Sequence, residues 1–446
     1  MFAQCNELTV VTPIRPGAVG HLREVLEQGR GQAKRALAAC PEIRFARWAL
    51  LERPTAVPAL GAGTLLPAVE TPSLLFATTF DGPRAAHLGN LARSTTAWLD
   101  RVYQHCRGYP IPAPGRAPQS IVDYLVRHRI SAHTFFVGTP GVSVAHAHDE
   151  AALRDQIEGF LDFLGSLPAE DPVHFHLLAR QNIQAVPALA AMLQPPEPVR
   201  PRGFVGWVFL RIHKYGGTPR WFPPPGRLRR AVLGFARRTE LSDQPPPPGQ
   251  VFPFPDSSWL EDHVQRMRKD EHEDPNRANR LTLYSDVKPG LFRRLLLRGS
   301  LFFLDGAARA TLDGRLSGTE GIHSASWVMM ERGRRLLFLS NYDGSWEEYL
   351  TAFSKNFGVS RGVTSIWSSA QTFPRTNYLV CGGAIHEKPF KEAVRANQIP
   401  TQFWYSAYDD PRFTVDFINR NRRIRRGLAK QALSTDEATR WLAEFG

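Results

Sequence analysis

The residues best placed to do chemistry sit in two short runs. "IHSASWVMMER" (Ile322–Arg332) carries His323, and "LLFLSNYDG" (Leu336–Gly344) carries Asn341 and Tyr342. A histidine can move a proton near neutral pH, while an amide and a phenol orient a substrate or donate to developing charge. His323, Asn341 and Tyr342 are therefore the candidate catalytic residues. Trp327, Trp404 and Tyr405 supply aromatic surface, which suits a small apolar or aromatic ligand in a cleft between sheets. An earlier run, "IRFARWALLER" (Ile43–Arg53), puts Arg44 and Trp48 in the same pattern, so both join the candidate ligand-binding set. The competing reading of these residues is a packed aromatic core around one satisfied histidine.

Two further groups could do chemistry. His146 and His148, and again His174 and His176, stand two apart, a spacing that points two ligands one way on a strand. Asp149 reads as the cap of the helix "EAALRDQIEGFLDFL", which leaves the first pair in a loop and makes a metal site the weaker reading. The Asp-Gly pairs at Asp81 and Asp343 end strands and precede helices, where such pairs serve turns and caps. Ser345 and Glu348 fit a capping box behind the second pair.

The elements that must position these residues repeat. "LTVVTPIRPG" (Leu8–Gly17) matches "LTLYSDVKPG" (Leu281–Gly290), and "IRFARWALLER" matches "IHSASWVMMER". "LLFATTFDG" (Leu74–Gly82) matches "LLFLSNYDG", and "IVDYLVRHRISAHTFFV" (Ile121–Val137) matches "FKEAVRANQIPTQFWYS" (Phe390–Ser406). The common order implies an internal duplication. Each copy reads β-α-β-β-α, an extra helix, then β: a ferredoxin-like unit with an insertion. Two such sheets in one chain can bury their bare faces on each other. The expected fold is α+β, with tandem ferredoxin-like repeats forming an intrachain pseudo-dimer and a Pro-rich basic insertion. The expected units are repeat one (1–165), a helical and Pro-rich basic connecting segment (166–280), repeat two (281–433) and a C-terminal tail (434–446). The hairpin of repeat two is placed with its turn at Gly333-Arg334. One face then carries His323, Ala325, Trp327, Leu336, Phe338 and Tyr342, and both faces are apolar enough to be covered.

The motifs "IHSASWVMMERGRRLLFLSNYDGSWEEYL", "WSSAQTFPRTNYLV" and "IPTQFWYSAYDD" resemble a poorly characterised bacterial family with the patterns IHFARWV, RRLLFLSNYDGSWESYL and PTQ-WYSAY. The likeness covers most of the second copy and, more weakly, the first. It brings no activity with it. At fold level the chain is similar to the dimeric α/β-barrel superfamily, which includes dye-decolourising peroxidases, chlorite-dismutase-like haem proteins and cofactor-free monooxygenases. That likeness implies an oxidoreductase as the enzyme class and haem as the candidate cofactor, with His323 its axial ligand. The GxxDG motif of those peroxidases is not matched, because "FFLDGAAR" (Phe302–Arg309) lacks the leading glycine.

Charge is spread unevenly. Of the net +13, residues 1–194 hold +1 and residues 195–446 hold +12. The connecting segment contains "WFPPPGRLRRAVLGFARRTE", where Leu228, Ala231, Val232 and Phe235 fall on one helical face. Arg227, Arg229, Arg230, Arg237 and Arg238 flank that face, so with Phe235 they form a candidate membrane-surface set for anionic lipid. Arg420, Arg422, Arg423, Arg425 and Arg426 crowd the closing helix and read as a solvated face or an extension of this basic surface. Nucleic acid is a weak third partner, since no recognition motif is present.

Four scattered cysteines suit a reducing compartment, and no apolar run reaches membrane-span length. With no signal-like start either, the expectation is a cytoplasmic protein, peripheral at the membrane if the basic segment docks there. A P-loop, GxGxxG, GxSxG and HExxH are all missing, which argues against nucleotide hydrolysis and serine or zinc-protease chemistry. Two function classes remain. One is a small-molecule-binding protein, oxidative if catalytic. The other is a non-catalytic protein that docks on a membrane or partner.

Overall fold

The computed structural model describes residues 4–445 except 53–56, 59–64, 67–70, 166–169, 216–256, 269–270, 272–276, 317–318, 356, 372, 375 and 378–380. Nine strands build its two main sheets: β1 (Cys5–Pro13), β2 (Ile43–Leu51), β3 (Ser73–Asp81), β4 (Arg129–Ile130), β5 (Thr134–Val137), β6 (Ala278–Asp286), β7 (Ile322–Met330), β8 (Arg335–Asp343) and β9 (Thr401–Ser406). The architecture is mixed α+β with two antiparallel sheets. One runs β9-β2-β3-β1-β4 and the other β5-β7-β8-β6.

The sheets trade strands. β4 pairs with β1 through Thr9↔Ile130, and a few residues later β5 pairs in the other sheet through Thr134↔Trp327. The Ile399 amide donates to Thr282 O at 3.0 Å beside β6, after which β9 joins β2 through Tyr405↔Ala46. Each sheet thus has an edge continued by a segment that began in the other. The reason is physical: an open edge leaves a row of unpaired backbone donors and acceptors.

Alternation along the strands sends side chains to three apolar layers. Trp48, Phe76 and Phe80 face helices that carry Leu22, Leu26, Leu91 and Trp98. Ala325, Trp327, Met329, Leu336 and Phe338 face Leu297, Leu301, Trp346 and Phe390 on the far side. Between the sheets, Ala49, Leu51, Leu75 and Ala77 meet Tyr284, Val328, Met330, Leu337 and Leu339. Both faces of the β7–β8 hairpin are therefore buried, as expected. Its turn is not at Gly333-Arg334. Met330 pairs with Arg335, and Glu331–Arg334 make the connection, with Glu331 and Arg332 at φ 50° and 58°. The shift keeps the parity of pairing, so the faces survive it.

Four helices frame the buried clamps and the exposed surface: α1 (Val144–Leu164), α2 (Gly203–Tyr215), α3 (Leu291–Ala310) and α4 (Val415–Leu428). α1 starts before the expected Asp149, because the Ser143 hydroxyl accepts from the His146 amide and caps it there. His146 and His148 thus lie on a helix rather than in a loop. α4 is only partly the solvated basic face expected: Arg423 and Arg426 are exposed and Arg420 is half-buried, but the other two arginines are not in solvent. Arg422 and Arg425 are buried, Arg425 Nη1 reaches Glu150 Oε1 of α1 at 3.1 Å, and Arg422 donates to the carbonyls of Gly141 and Glu197. Within the segment expected as a C-terminal tail, Thr435–Leu442 is a helix with a Ser434–Glu437 capping box, and its Trp441 is buried.

Because Phe403 of β9 is buried 5.6 Å from Trp48 in the first sheet's core, the strand exchange should weld both sheets into one cooperative unit. Phe403→Ala is expected to cost about 3–5 kcal/mol and to shift a single urea transition read by fluorescence and by far-UV circular dichroism. Two separated transitions would contradict this coupling.

Candidate functional site

His323 sits where β7 breaks its alternation. β8 pairs Asn341 with Ser324 and Tyr342 with Ile322, so His323 is the extra residue of a β-bulge. β2 has the same irregularity: Ile43 pairs with Phe80 and Phe45 with Thr79, leaving Arg44 as the extra residue. Each bulge residue turns to the carboxylate that ends the neighbouring strand. His323 Nε2 donates to Asp343 Oδ1 at 2.6 Å, and Arg44 Nε donates to Asp81 Oδ1 at 2.8 Å. The second oxygen of each carboxylate takes a helix amide, Val415 N to Asp343 at 2.7 Å and Val144 N to Asp81 at 2.8 Å. Both Asp-Gly carboxylates are thus caps, though of helices far along the chain. The Ser345–Glu348 capping box forms as expected, with Glu348 N to Ser345 Oγ at 3.2 Å.

The bulge removes His323 from the face that strict alternation would have it share with Trp327 and Tyr342. Trp327 and Tyr342 lie on the helix-covered face, where Tyr342 stacks on Tyr349 at 3.9 Å. Trp48 is likewise on the outer face of the first sheet, stacked on Phe76 at 4.4 Å, and half-buried Tyr405 packs against the same layer. Asn341 and Trp404 do come together between the sheets. Asn341 Oδ1 accepts from Trp404 Nε1 at 3.1 Å and from Arg47 Nη2 at 2.5 Å, while its amide donates to Ser324 Oγ at 2.9 Å. Phe45 links this group to His323, with ring centroids 5.2 Å apart.

Arg47 is the group's central charge, and sequence patterning does not single it out. It is 2 % exposed, and its other bonds go to Leu281 O, Thr282 Oγ1 and Ser340 O at 2.8–3.0 Å. Burial, then repulsion from Arg280, pulls its guanidinium down to about 9. An arginine inside a strand of otherwise inward apolar residues was the available signal. Beside it, Glu7, Thr9, Thr79, Ser324 and Ser326 line a cavity of about 20 Å³, the size of one water. Burial pushes the Glu7 carboxyl up, against the hydrogen bonds from Thr9 and Ala132 that favour its charge.

A haem does not fit at His323. The residue is 3 % exposed, its Nε2 is committed to Asp343, and its ring lies against Tyr408 at 5.6 Å and Phe45. The four candidate metal ligands do not converge. Among the described residues no group of three or more such side chains could hold an ion. His176 is buried and donates to Gly427 O, and His148 packs on Phe413. The described cysteines Cys5, Cys40 and Cys106 are free and buried.

The exposed surface is more unusual than the interior. α2 crosses α3, and the approach depends on two glycines. A Cβ on Gly206 would stand 2.8 Å from Arg309 Cβ, and one on Gly306 would stand 2.5 Å from the Phe209 ring. The pair carries Phe204 (77 % exposed), Trp207 (45 %), Leu291 (65 %), Leu295 (55 %), Phe302 (56 %) and Phe303 (63 %). Phe204 stacks on Trp207, and Phe302 on Phe303 edge-to-face, so this is an aromatic ridge. Arg294 and Arg298 lie along the same helix. The candidate membrane residues Arg227, Arg229, Arg230, Phe235, Arg237 and Arg238 fall outside the described residues. No known family model matches the chain, and no curated protein matches its sequence.

Two substitutions test the interior. Asp343→Ala frees both the His323 ring and the Val415 amide, and each unmade buried bond costs about 1–3 kcal/mol, readable by denaturant titration. Glu7→Gln keeps an acceptor while deleting a charge that burial disfavours. The raised Glu7 carboxyl costs stability above its folded pKa and nothing below the unfolded one. The variant should therefore melt higher than wild type at pH 7, with the gain fading as pH falls through the ordinary carboxylate range.

Proposed function

We propose that the chain is a tandem ferredoxin-like duplication, closed as an intrachain pseudo-dimer of the dimeric α/β-barrel type, and that it docks peripherally on anionic membrane surfaces. Matched hydrogen bonds support the duplication. Asn6 Nδ2 donates to Gly82 O at 2.8 Å, and Asn279 Nδ2 to Gly344 O at 2.7 Å. The Ala407 amide meets Arg44 O as the Gly138 amide meets His323 O. Both bulges, both carboxylate caps and both exchanged strands repeat at the same places in the two halves.

The single observation that carries the docking reading is the aromatic ridge. Large aromatics exposed side by side mark an interaction surface rather than ordinary exposure. Aromatic side chains flanked by arginines match the interfacial layer of a bilayer, where rings enter the headgroup–acyl boundary and guanidiniums meet lipid phosphate. The ridge lies in the half of the chain that carries +12. No helix among the described residues is long and apolar enough to cross a membrane, so docking would be at the surface. The alternative, an oxidative small-molecule site at His323, has less support, because the residues proposed for it point to opposite faces of β7 and β8.

Pelleting of the full chain with phosphatidylcholine vesicles containing phosphatidylglycerol tests this. Phe302→Ser with Phe303→Ser should weaken binding at least about tenfold per ring, from the lost burial of each. The melting temperature should hold, since both side chains face solvent. Binding should also fall as salt is raised. Equal pelleting of the double variant would overturn the reading.

A further inference from the structure

We infer that a cleft at the foot of this ridge binds the phosphomonoester headgroup of an anionic lipid, a proposal that rests on the docking reading and sharpens it. The cleft has a volume of about 270 Å³, and its walls include Cys5, Gly141, Glu197, Arg200, Arg202 and Thr311. That is just under the roughly 300 Å³ where pockets for drug-sized ligands begin, and it suits a headgroup.

The lining has the chemistry of an anion site. Arg200, Arg202 and Glu197 line the cleft, and Arg309 and Asp305 lie close enough to act on the Arg202 guanidinium. Arg202 is held in place: its guanidinium donates to Phe135 O and lies over the Phe135 ring at 5.2 Å, and its amide donates to Arg309 O at 3.0 Å. A half-buried guanidinium with a fixed fork is the group best suited to phosphate oxygens. Burial pushes the Cys5 thiol up to about 11, so it stays neutral and does not repel an anion. Pro198 and Pro201 border the arginines and restrict the run that carries them, which lowers the ordering cost of binding. α2 begins in the cleft wall at Gly203, and its positive end adds to the arginines.

Position decides the source of the phosphate. Gly203 lines the cleft, and the next residue, Phe204, is the first aromatic of the ridge. A phosphate seated between Arg200 and Arg202 therefore has its ester chain leaving along Phe204 and Trp207. A free phosphate would use the arginines and leave the adjoining rings without a role.

The test compares phosphatidylcholine vesicles doped with phosphatidic acid or, at matched surface charge, with phosphatidylserine. The full chain should prefer phosphatidic acid by about fivefold or more, the worth of one arginine at a lipid surface. Arg200→Gln and, separately, Thr311→Glu should erase the preference; taking the ratio cancels their general effect on charge. Glycerol 3-phosphate should compete and should change Trp207 fluorescence in wild type but not in either variant. Equal binding of wild type to both lipids would sink the cleft proposal while leaving the ridge standing. Pelleting with neither would sink both. Saturation by inorganic phosphate without any lipid preference would overturn the lipid assignment in favour of a soluble phosphate ligand.

Discussion

An antiparallel sheet cannot end in the open without cost, and the architecture follows from how this chain ends its sheets. β5 and β9 each leave the half in which they began and complete the opposite sheet. The exchange pairs the edges of β2 and β7 and leaves the shorter strands β9 and β5 as the edges in their place. It also forces the two sheets face to face, which is what dries the layer of Leu75, Leu337, Val328 and Met330 between them. Either sheet alone would lack an edge and expose a face, so the two depend on each other for both hydrogen bonding and burial.

The paired bulges are the second consequence. At the start of β2 and of β7 one residue steps out of register and reaches the carboxylate that closes the adjacent strand. That carboxylate then holds the first amide of a helix that follows an exchanged strand. Arg44–Asp81–Val144 and His323–Asp343–Val415 are thus clamps that tie strand ends to α1 and α4. Arginine in one clamp and histidine in the other do the same geometric work, which explains how a histidine in so prominent a motif comes to be walled in. Arg47 is held between the sheets by carbonyl, hydroxyl and amide oxygens rather than by an acid. Such a group constrains how the sheets stack, because each of its partners comes from the opposite sheet.

Beside Arg47 the space between the sheets narrows to a cavity the size of one water. Large apolar side chains remain exposed on α2 and α3. Their crossing is close because Gly206 and Gly306 let backbone meet side chain, and it sets Phe209 of α2 against Phe302 and Phe303 of α3. The proposed functional surface is in this sense a by-product of helix packing. Two stripes that are ordinary separately become a patch only when brought together.

Much of this was legible in the amino-acid sequence. Alternation identified the strands and both buried faces of β7 and β8, since period-two patterning survives a misplaced turn as long as parity is kept. The Ser345–Glu348 cap followed from local spacing alone. Local pattern did not reveal the strand exchange, because β5 and β9 read the same whichever sheet they join. It did not reveal the bulge, which moved His323 away from Trp327 and Tyr342 by one residue of register. Nor did it reveal that Arg422 and Arg425 are buried, since a basic helix looks solvated until a carboxylate and carbonyls from distant segments are set against it. What a chain says about itself extends over a few residues. Which strand fills which edge, which charge meets which partner and which apolar face stays uncovered are settled by contacts hundreds of residues apart, and only the tertiary structure decides them.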